Sequence, residues 1–361
     1  MSVQADFLII GGGVAGVSAA ARLAPLGRLV LVEAESALAY HASGRSAAMF
    51  LKAYGRDAVR ALNEASEDHH RTADGGVLSP RPMMLVARPQ DAALFDSECK
   101  RGGLTPVSIS DARARMPILN PQTVTQAAIR ADACDLDTHL LIQNFARTAR
   151  SHGADFRQSA NVTDIAYTNG HWRVQAGDDT ITATTLINAA GAWADQIAQM
   201  AGIAPIGITP HRRSMARIPA PGGYDITNWP FVEAVAERWY AKPDAGKLIV
   251  SPSEEDPMPP HDAFADDMVL AEGLARYADM VTEPVTRVEH SWAGLRSFAP
   301  DRSLVIGRDV SHPEFVWCAG QGGYGFQTAP AASQLLSEVI SGAPPHLPAS
   351  IVQALSPARF T

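Results

Sequence analysis

The residues near the start of the chain with the plainest chemical use are three glycines and one acid. Gly11, Gly13 and Gly16 form the spacing G-x-G-x-x-G directly after the apolar run 7–10. In such a turn the first glycine permits a tight bend, the second lets a pyrophosphate approach the backbone, and the third lets a helix pack on a strand. Glu33 follows 20 residues after Gly13, where a carboxylate can bind both ribose hydroxyls and would repel a 2′-phosphate. This pattern predicts NAD or FAD rather than NADP.

The residues around these glycines predict a β-α-β unit. The runs 7–10 and 29–32 are apolar, which is typical of buried parallel strands. The helix between them is predicted over 14–24 and ends near Pro25 and Gly27. A β-α-β unit that binds nothing is the competing interpretation. The strand, helix, second strand and terminal acid all lie in the register of a dinucleotide site, which favours binding.

Two later segments repeat the pattern of a strand, a turn of small residues and a helix. They are TLINAAGAWAD at 185–195 and FVWCAGQGGYGFQTAPAASQLLSEVI at 315–340. A third segment, YHASGRSAAMF at 40–50, is rich in small polar residues, and its Ser43 and Arg45 offer donors to a long, extended cofactor. Three such segments predict one cofactor site assembled from distant parts of the chain. An NAD-only dehydrogenase would leave the later turns without a role, so FAD is favoured.

Length and composition bound the class of protein. The 361 residues predict two domains, and a net charge of -8 argues against a nucleic-acid partner. No apolar run reaches membrane-spanning length, and a first strand near Asp6 leaves no room for a signal peptide. Cys99, Cys134 and Cys318 form neither a metal-spaced pair nor a disulfide framework, so we expect no metal site and a cytoplasmic location. A monomer or small homo-oligomer is expected, and the sequence does not choose between them. Residues 251–267 are acidic and Pro-rich and predict a loop, for which a solvated surface loop is favoured over the edge of a lid.

Eight stretches, in order along nearly the whole chain, carry a family resemblance. They are YHASGRSAA, AYGRDAVRAL, LSPRPMMLV, LINAAGAWAD, HRRSMA, YAKPDAGKL, EHSWAGLRSF and GQGGYGFQT. Through them the chain resembles FAD-dependent amine oxidoreductases of the D-amino-acid oxidase superfamily, which includes glycine and sarcosine oxidases. Within that superfamily it is most similar to bacterial D-arginine dehydrogenase and related D-amino-acid dehydrogenases.

The resemblance implies an α/β fold of two interleaved domains. One is a Rossmann-like FAD-binding domain formed by residues 1–80, 137–204 and 294–361. The other is a substrate-binding domain built on a mostly antiparallel sheet and formed by residues 81–136 and 205–293.

The resemblance also implies non-covalent FAD bound in an extended form. Its adenosine would lie on the first glycine turn, its adenine at the backbone of Val162, and its pyrophosphate along Arg45 and Ser46. The pyrimidine edge of the flavin would meet 322–328, where a helix N-terminus favours the anionic reduced flavin. The predicted cofactor-binding residues are Gly11, Gly13, Val14, Ala15, Gly16, Glu33, Ala34, Ser43, Gly44, Arg45, Ser46, Ala47, Ala48, Val162, Ala190, Gly191, Trp193, Arg296, Gly322, Gly323, Tyr324, Gly325, Phe326, Gln327 and Thr328.

Enzymes of this kind move a hydride from the substrate Cα to flavin N5, and the protein positions Cα. An amino-acid carboxylate suits arginine, whose planar fork binds it through two parallel hydrogen bonds. The resemblance places Arg296, Tyr240 and Arg213 at the carboxylate and Tyr54 near the amine, and the carbonyl of Gly323 can accept from the amine. These five are the predicted catalytic residues. A surface or interdomain salt bridge is the competing interpretation for each arginine.

The predicted substrate pocket departs from the pattern of the D-arginine enzymes. Met83 stands in place of a glutamate, Met49 in place of a histidine and Leu51 in place of a threonine, which makes the pocket more apolar and more deformable. Phe231 and Glu233 share one face if they lie on a strand. A solvent-facing acid near a strand end is the favoured interpretation of Glu233, and a pocket acid that meets a basic side chain is the alternative.

The sequence therefore predicts FAD-dependent oxidative deamination of D-amino acids, with apolar or mixed side chains preferred over D-Arg and D-Lys. One alternative is oxidation of a secondary amine such as sarcosine, proline or another N-alkyl amino acid. A non-catalytic flavin-binding protein is the alternative of another class. The electron acceptor, oxygen or a quinone or other carrier, is left open.

Overall fold

The computed structural model describes residues 2–361. Its strands are, in chain order, β1 (Ser2–Ile10), β2 (Leu29–Val32), β3 (Met49–Phe50), β4 (Leu78–Pro80), β5 (Met83–Ala87), β6 (Thr105–Val107), β7 (Gln126–Arg130), β8 (Cys134–Leu136), β9 (Asp155–Arg157), β10 (Val162–Thr168), β11 (His171–Ala176), β12 (Asp179–Asn188), β13 (Thr209–Ile218), β14 (Phe231–Ala234), β15 (Tyr240–Asp244), β16 (Lys247–Ser251), β17 (Asp256–Pro257), β18 (His290–Phe298), β19 (Val305–Arg308) and β20 (Phe315–Ala319). Its α-helices are α1 (Val14–Leu23), α2 (Asp57–Thr72), α3 (Ala92–Gly102), α4 (Ile109–Arg115), α5 (Thr138–Ser151), α6 (Ala194–Met200), α7 (Asp267–Asp279), α8 (Gly325–Ser341) and α9 (Ala349–Leu355).

The first large sheet contains the predicted β-α-β unit. Its strand order is β10-β11-β12-β1-β2-β9, and β20 and β19 continue it beside the end of β12. The pairs β1–β2, β1–β12, β2–β9 and β12–β20 are parallel. Ile9 faces an apolar cluster shared with α1, α5 and α8, while Leu8 faces a second cluster that includes Trp172 and Ile197. Because both faces are covered, the central strands are continuous apolar runs, as predicted.

The second large sheet is mostly antiparallel, as predicted. Its order is β17-β13-β16-β15-β14-β5-β7-β6, with β18 paired to β13. All its pairs are antiparallel except β14 with β5. One face packs on α7 in a cluster around the fully buried Trp239 and Tyr277. The predicted α/β fold, with a Rossmann-like sheet beside a mostly antiparallel one, is therefore confirmed.

The chain passes between the two large sheets several times, so each sheet is built from several separate segments of the sequence. The short sheet β3-β8-β4 lies on these connections. The whole of β18 pairs with β13 of the second sheet, so the domain boundary predicted between residues 293 and 294 falls inside a strand. The division into two domains stays a prediction.

Two further features concern the described chain as a whole. Among residues 2–361, none of the helices combines the length and apolarity needed to cross a membrane. Cys99, Cys134 and Cys318 are free thiols buried in the interior. Burial raises the pKa of Cys318 to about 12, so this thiol beside the third glycine turn stays protonated and unreactive.

Candidate active site

A cavity of about 560 Å³ lies between the two large sheets. Residues from both sheets line it, and they include most of the predicted cofactor-binding residues. These are Gly11, Gly13, Val14, Ala15, Glu33, Ala34, Ser43, Arg45, Ser46, Ala47, Ala48, Val162, Ala190, Gly191, Trp193, Arg296, Gly322, Gly323, Gly325, Phe326 and Gln327. The structure therefore brings the three distant glycine-containing turns to one site.

Four predicted cofactor residues lie behind the lining rather than in it. A Cβ on Gly16 would lie 1.9 Å from the carbonyl oxygen of the first glycine, and one on Gly44 would lie 2.3 Å from that of Ala39. Tyr324 and Thr328 are buried, and the Thr328 hydroxyl donates to the Tyr324 carbonyl at 2.9 Å. These residues shape the backbone around the cavity, and their direct contact with the cofactor stays a prediction.

The first glycine turn presents the N-terminus of α1 to the cavity. The backbone N–H of Val14 donates to Ser43 Oγ at 3.0 Å, and the Glu33 carboxylate accepts from the Gly12 N–H at 2.6 Å. Glu33 thus stands at the end of β2 beside the turn, where its predicted ribose contact requires it. A helix N-terminus favours anions because its N–H groups and dipole point outward. The close backbone approaches, the anion-favouring turn and the terminal acid fit an extended dinucleotide.

Arg45 is engaged by the protein itself, in contrast to its predicted place along a pyrophosphate. Its Nη1 donates to the carbonyls of Ala263 at 2.8 Å and Ala293 at 3.1 Å, and its Nη2 forms an ion pair with Asp262. His41 also lines the cavity, and its Nε2 lies 3.0 Å from a carboxylate oxygen of Glu35. Sequence reasoning missed these partners of Arg45 because they lie more than 200 positions away along the chain.

The other end of the cavity gathers the five predicted catalytic residues. Arg296 on β18, Arg213 on β13, Tyr240 on β15, Tyr54 and Gly323 all line it. Arg296 Nη2 donates to the Tyr54 hydroxyl at 3.2 Å. A Cβ on Gly323 would lie 1.8 Å from that same Nη2, so the guanidinium rests directly against the glycine. Only a residue without a side chain leaves room for Arg296 at this point.

Tyr54 is held as a neutral hydrogen-bonding group. Burial raises the pKa of Tyr54 to about 12, so its hydroxyl is protonated at neutral pH. Because that oxygen accepts from Arg296, its own proton can be donated to an atom in the cavity. Tyr54 therefore suits hydrogen bonding to a substrate rather than proton abstraction.

Arg296 and Arg213 also form ion pairs within the protein. The competing interpretation, in which these arginines form salt bridges, therefore holds alongside the predicted role in binding a carboxylate. Glu255 Oε1 accepts from Arg296 Nη1 at 2.8 Å and from Arg213 Nη2 at 3.2 Å, while its Oε2 accepts from Arg302 Nη2 at 2.8 Å. Glu255 and the buried Glu254 lie in the segment predicted to be a solvated loop. That prediction is wrong for this part of 251–267, because its acids are drawn inward by buried arginines.

The apolar wall of the cavity differs from the predicted pocket at one position. Met49, Leu51 and Phe231 line the cavity. Met83 does not line it and instead packs in an apolar cluster with Phe231 and Tyr240. The methionine pairs with Phe231 across β5 and β14, and it therefore acts as support for the wall.

Glu233 lines the cavity, so the favoured interpretation of a solvent-facing acid is wrong. It lies on β14 on the same face as Phe231, as the strand alternation predicts. The pKa of Glu233 is raised to about 8, mainly by burial and further by the carboxylates of Glu237 and Glu98. Arg213 and Arg296 lower this pKa and so offset part of the increase. Glu233 is thus largely uncharged at pH 7.

Glu233→Gln is expected to stabilise the protein more at high pH than at low pH. The folded-state pKa near 8 lies above the ordinary value of 4.5, so the wild type loses stability as pH rises from about 4.5 through 8, while glutamine does not titrate. In thermal unfolding of the holoenzyme, Tm of Glu233→Gln minus Tm of wild type should increase from pH 5 to pH 9. Glu64→Gln, on the exposed face of α2, is the control. Its Tm minus that of wild type should stay the same from pH 5 to pH 9. A constant difference for Glu233→Gln as well would contradict the buried-acid assignment.

Comparison with known proteins gives relatives in one class of flavoenzymes. Human mitochondrial dimethylglycine dehydrogenase is 28% identical over 218 residues, which cover 55% of this chain and 25% of that protein. The matched region is therefore about a quarter of that relative's length.

Two solved structures share the fold across nearly the whole chain, and a family model matches most of the sequence. L-proline dehydrogenase from P. horikoshii has a TM-score of 0.84 at 21% identity, covering 100% of this chain and 98% of that one. Glycine oxidase from Geobacillus kaustophilus has a TM-score of 0.83 at 18% identity, covering 97% and 98%. The family model described as DAO, FAD dependent oxidoreductase, matches residues 6–339. The chain therefore belongs to the DAO family of FAD-dependent oxidoreductases, and FAD is its cofactor.

Proposed function

We propose that this protein oxidises an amino acid whose nitrogen carries an alkyl group, a secondary amine such as sarcosine or proline. The observation that carries the proposal is the pair of arginines, Arg296 and Arg213, at the same end of the cavity as an apolar wall. The names of two relatives, dimethylglycine dehydrogenase and L-proline dehydrogenase, also specify N-alkylated amino acids.

The arginines would bind the substrate carboxylate. Arg296 uses one Nη for Glu255 and the other for Tyr54, and a guanidinium has five N–H donors in all. Donors therefore remain for a carboxylate in the cavity, with Tyr240 and Arg213 beside them. Fixing the carboxylate fixes the position of Cα, which is the atom that must be oriented for reaction.

The remaining contacts would orient the amine. FAD, when bound, supplies the oxidation by accepting the two electrons and the hydrogen lost from the substrate carbon. The amine must be neutral at that moment because positive charge develops on nitrogen as the imine forms. The carbonyl of Gly323 can accept from the remaining N–H, and the Tyr54 hydroxyl can donate to the nitrogen or to a water beside it. Met49, Leu51 and Phe231 would contact the N-alkyl group and exclude water.

Oxidation of D-amino acids with apolar side chains is the second candidate. The same arginines would hold the carboxylate, and the same apolar wall would receive a side chain at Cα. The position of Glu233 in the cavity also keeps D-Arg and D-Lys in the test. The two candidates differ in whether the apolar wall meets a group on nitrogen or a group on Cα.

Matched substrate pairs are expected to separate the candidates. The holoenzyme is mixed anaerobically with glycine and sarcosine, with D-leucine and N-methyl-D-leucine, with L- and D-proline, and with D-Arg and D-Lys, and bleaching of the flavin absorbance is followed. We expect sarcosine to reduce the flavin at least about 10-fold faster than glycine, and N-methyl-D-leucine at least about 10-fold faster than D-leucine, since one methyl group in an apolar site is worth about 10- to 200-fold.

Each other outcome selects a different assignment. Faster bleaching by D-leucine than by its N-methyl form would establish the D-amino-acid candidate. Bleaching by none of the compounds would favour a non-catalytic flavoprotein or a substrate without an amine. Admitting air after bleaching distinguishes oxygen from another electron acceptor.

A further inference from the structure

One carboxylate outside the cavity lining ties together the arginines at the substrate end. Glu255 receives hydrogen bonds from Arg296 at 2.8 Å, Arg213 at 3.2 Å and Arg302 at 2.8 Å. Arg296 and Arg213 line the cavity, whereas Glu255 and Arg302 do not. The carboxylate therefore meets the two cavity guanidiniums from the side away from the substrate space.

Arg302 is a third cation, and it lies beside the cavity rather than in its lining. Its guanidinium lies over the ring of Phe298, with Cζ 3.8 Å from the ring centroid. The same ring lies against Gly322 in the third glycine turn, where a Cβ would approach it to 2.3 Å. Arg302 is thus fixed next to the cavity, and without Glu255 its charge would face the two cavity arginines unpaired.

The charges around this end nearly balance. Burial raises the pKa of Glu255, but Arg296, Arg302 and Arg213 together outweigh that effect, and the net shift is downward. Glu255 is therefore ionised at neutral pH. Glu237 adds a second carboxylate 3.7 Å from Arg213. At pH 7, where Glu233 is largely uncharged, three arginines and these two carboxylates leave one positive charge, which matches a substrate with one carboxylate.

We infer that Glu255 is a specificity-determining residue: it supplies from within the chain the second carboxylate that three arginines can bind, and so selects substrates with one carboxylate against those with two. The inference rests on the proposed function, in which Arg296 and Arg213 bind a substrate carboxylate. A second substrate carboxylate would have to be held by the same guanidiniums that Glu255 already binds, and two carboxylates that share these cations repel each other in a partly buried site. Removing the charge of Glu255 leaves a cluster that can accept a dianion.

Two acids that cannot be oxidised test this inference. Pivalate has one carboxylate and dimethylmalonate has two, and neither carries hydrogen on the carbon next to a carboxylate. Their Kd values are measured by calorimetry on the holoenzyme at fixed ionic strength and at a pH where both carboxyls of dimethylmalonate are ionised. We expect wild type to prefer pivalate, and Glu255→Gln and Glu255→Ala to shift the Kd ratio at least about 10-fold towards dimethylmalonate.

The ratio of the two Kd values separates the effect of charge from damage to the fold. If a variant merely displaced the arginines, binding of pivalate and of dimethylmalonate would weaken together and the ratio would not change. Glu255→Asp keeps the charge and should keep the wild-type ratio. Asp256→Asn is the control in the same segment, since Asp256 pairs with Arg212, which does not line the cavity. A ratio that stays within twofold in Glu255→Gln, or moves towards pivalate, overturns the inference while leaving the proposed function intact. Equal binding of pivalate and uncharged pivalamide by wild type would instead overturn the carboxylate-binding role of the arginines and the inference with it.

Discussion

Arg296→Met should lower kcat/KM, corrected for flavin content, by about 30- to 4,000-fold. Truncating one partner of a desolvated charged pair costs about 2–5 kcal/mol, and each 1.4 kcal/mol is a factor of ten. Arg296 lines the cavity and donates hydrogen bonds to the Glu255 carboxylate and to the Tyr54 hydroxyl. Under the proposed function, its loss removes the charge that would bind the substrate carboxylate, and it also removes the hydrogen bond to the Tyr54 hydroxyl. Steady-state kinetics with the substrate found by flavin bleaching, together with the flavin content of the purified variant, measures the effect.

Two variants place this result in context. Arg296→Lys keeps the charge but loses the fork, so it should retain more activity than methionine does. Arg302→Met is the matched control: it pairs with the same Glu255 carboxylate at 2.8 Å but does not line the cavity, and we expect less than about a 10-fold change in kcat/KM. Equal losses in Arg296→Met and Arg302→Met would show that the arginines serve the local structure rather than the substrate.

The cofactor half of the cavity was predictable because its determinants are local in sequence. A tight turn, a close approach to a pyrophosphate and helix packing each require glycine at a fixed spacing, so Gly11, Gly13 and Gly16 could be assigned their places from the sequence. The acid at the end of β2 follows from the length of one β-α-β unit. The same reasoning placed the third glycine turn at the N-terminus of α8.

The substrate half was less predictable because its determinants are contacts between distant segments. Strand alternation put Phe231 and Glu233 on one face, but it could not say which face meets the cavity. The ion-pair partners of Arg45 and Arg296 are Asp262 and Glu255, which lie in the segment 251–267. That segment is acidic and rich in proline, which is the composition of a solvated loop. The segment is held inward by ion pairs with buried and partly buried arginines from other parts of the chain. The sequence of the segment itself contains no pattern that indicates these partners.

Gly11→Ala should yield a protein that purifies largely without FAD. Gly11 has φ +111, a conformation costly for any residue with a Cβ, and that Cβ would lie 2.4 Å from the carbonyl oxygen of Ala189. The strain alone is worth roughly 1–3 kcal/mol. The contact adds to it because Ala189 lines the cavity and its N–H donates to the Ile10 carbonyl at 2.9 Å, joining the ends of β1 and β12. Separating these strand ends displaces the turn on which the pyrophosphate would lie.

The flavin-to-protein absorbance ratio and the Kd of the apoprotein for added FAD measure this loss, which we expect to exceed about 10-fold in affinity. Gly170→Ala is the matched control: Gly170 has φ +80 in the turn between β10 and β11, and a Cβ there would meet no atom within 4 Å. It carries a similar backbone penalty without the close approach, so its FAD content should equal that of wild type. If both variants lost FAD equally, general backbone strain would explain the effect. If neither did, the fit of the first glycine turn to a pyrophosphate would be wrong, because that fit depends on Gly11 closing directly against Ala189.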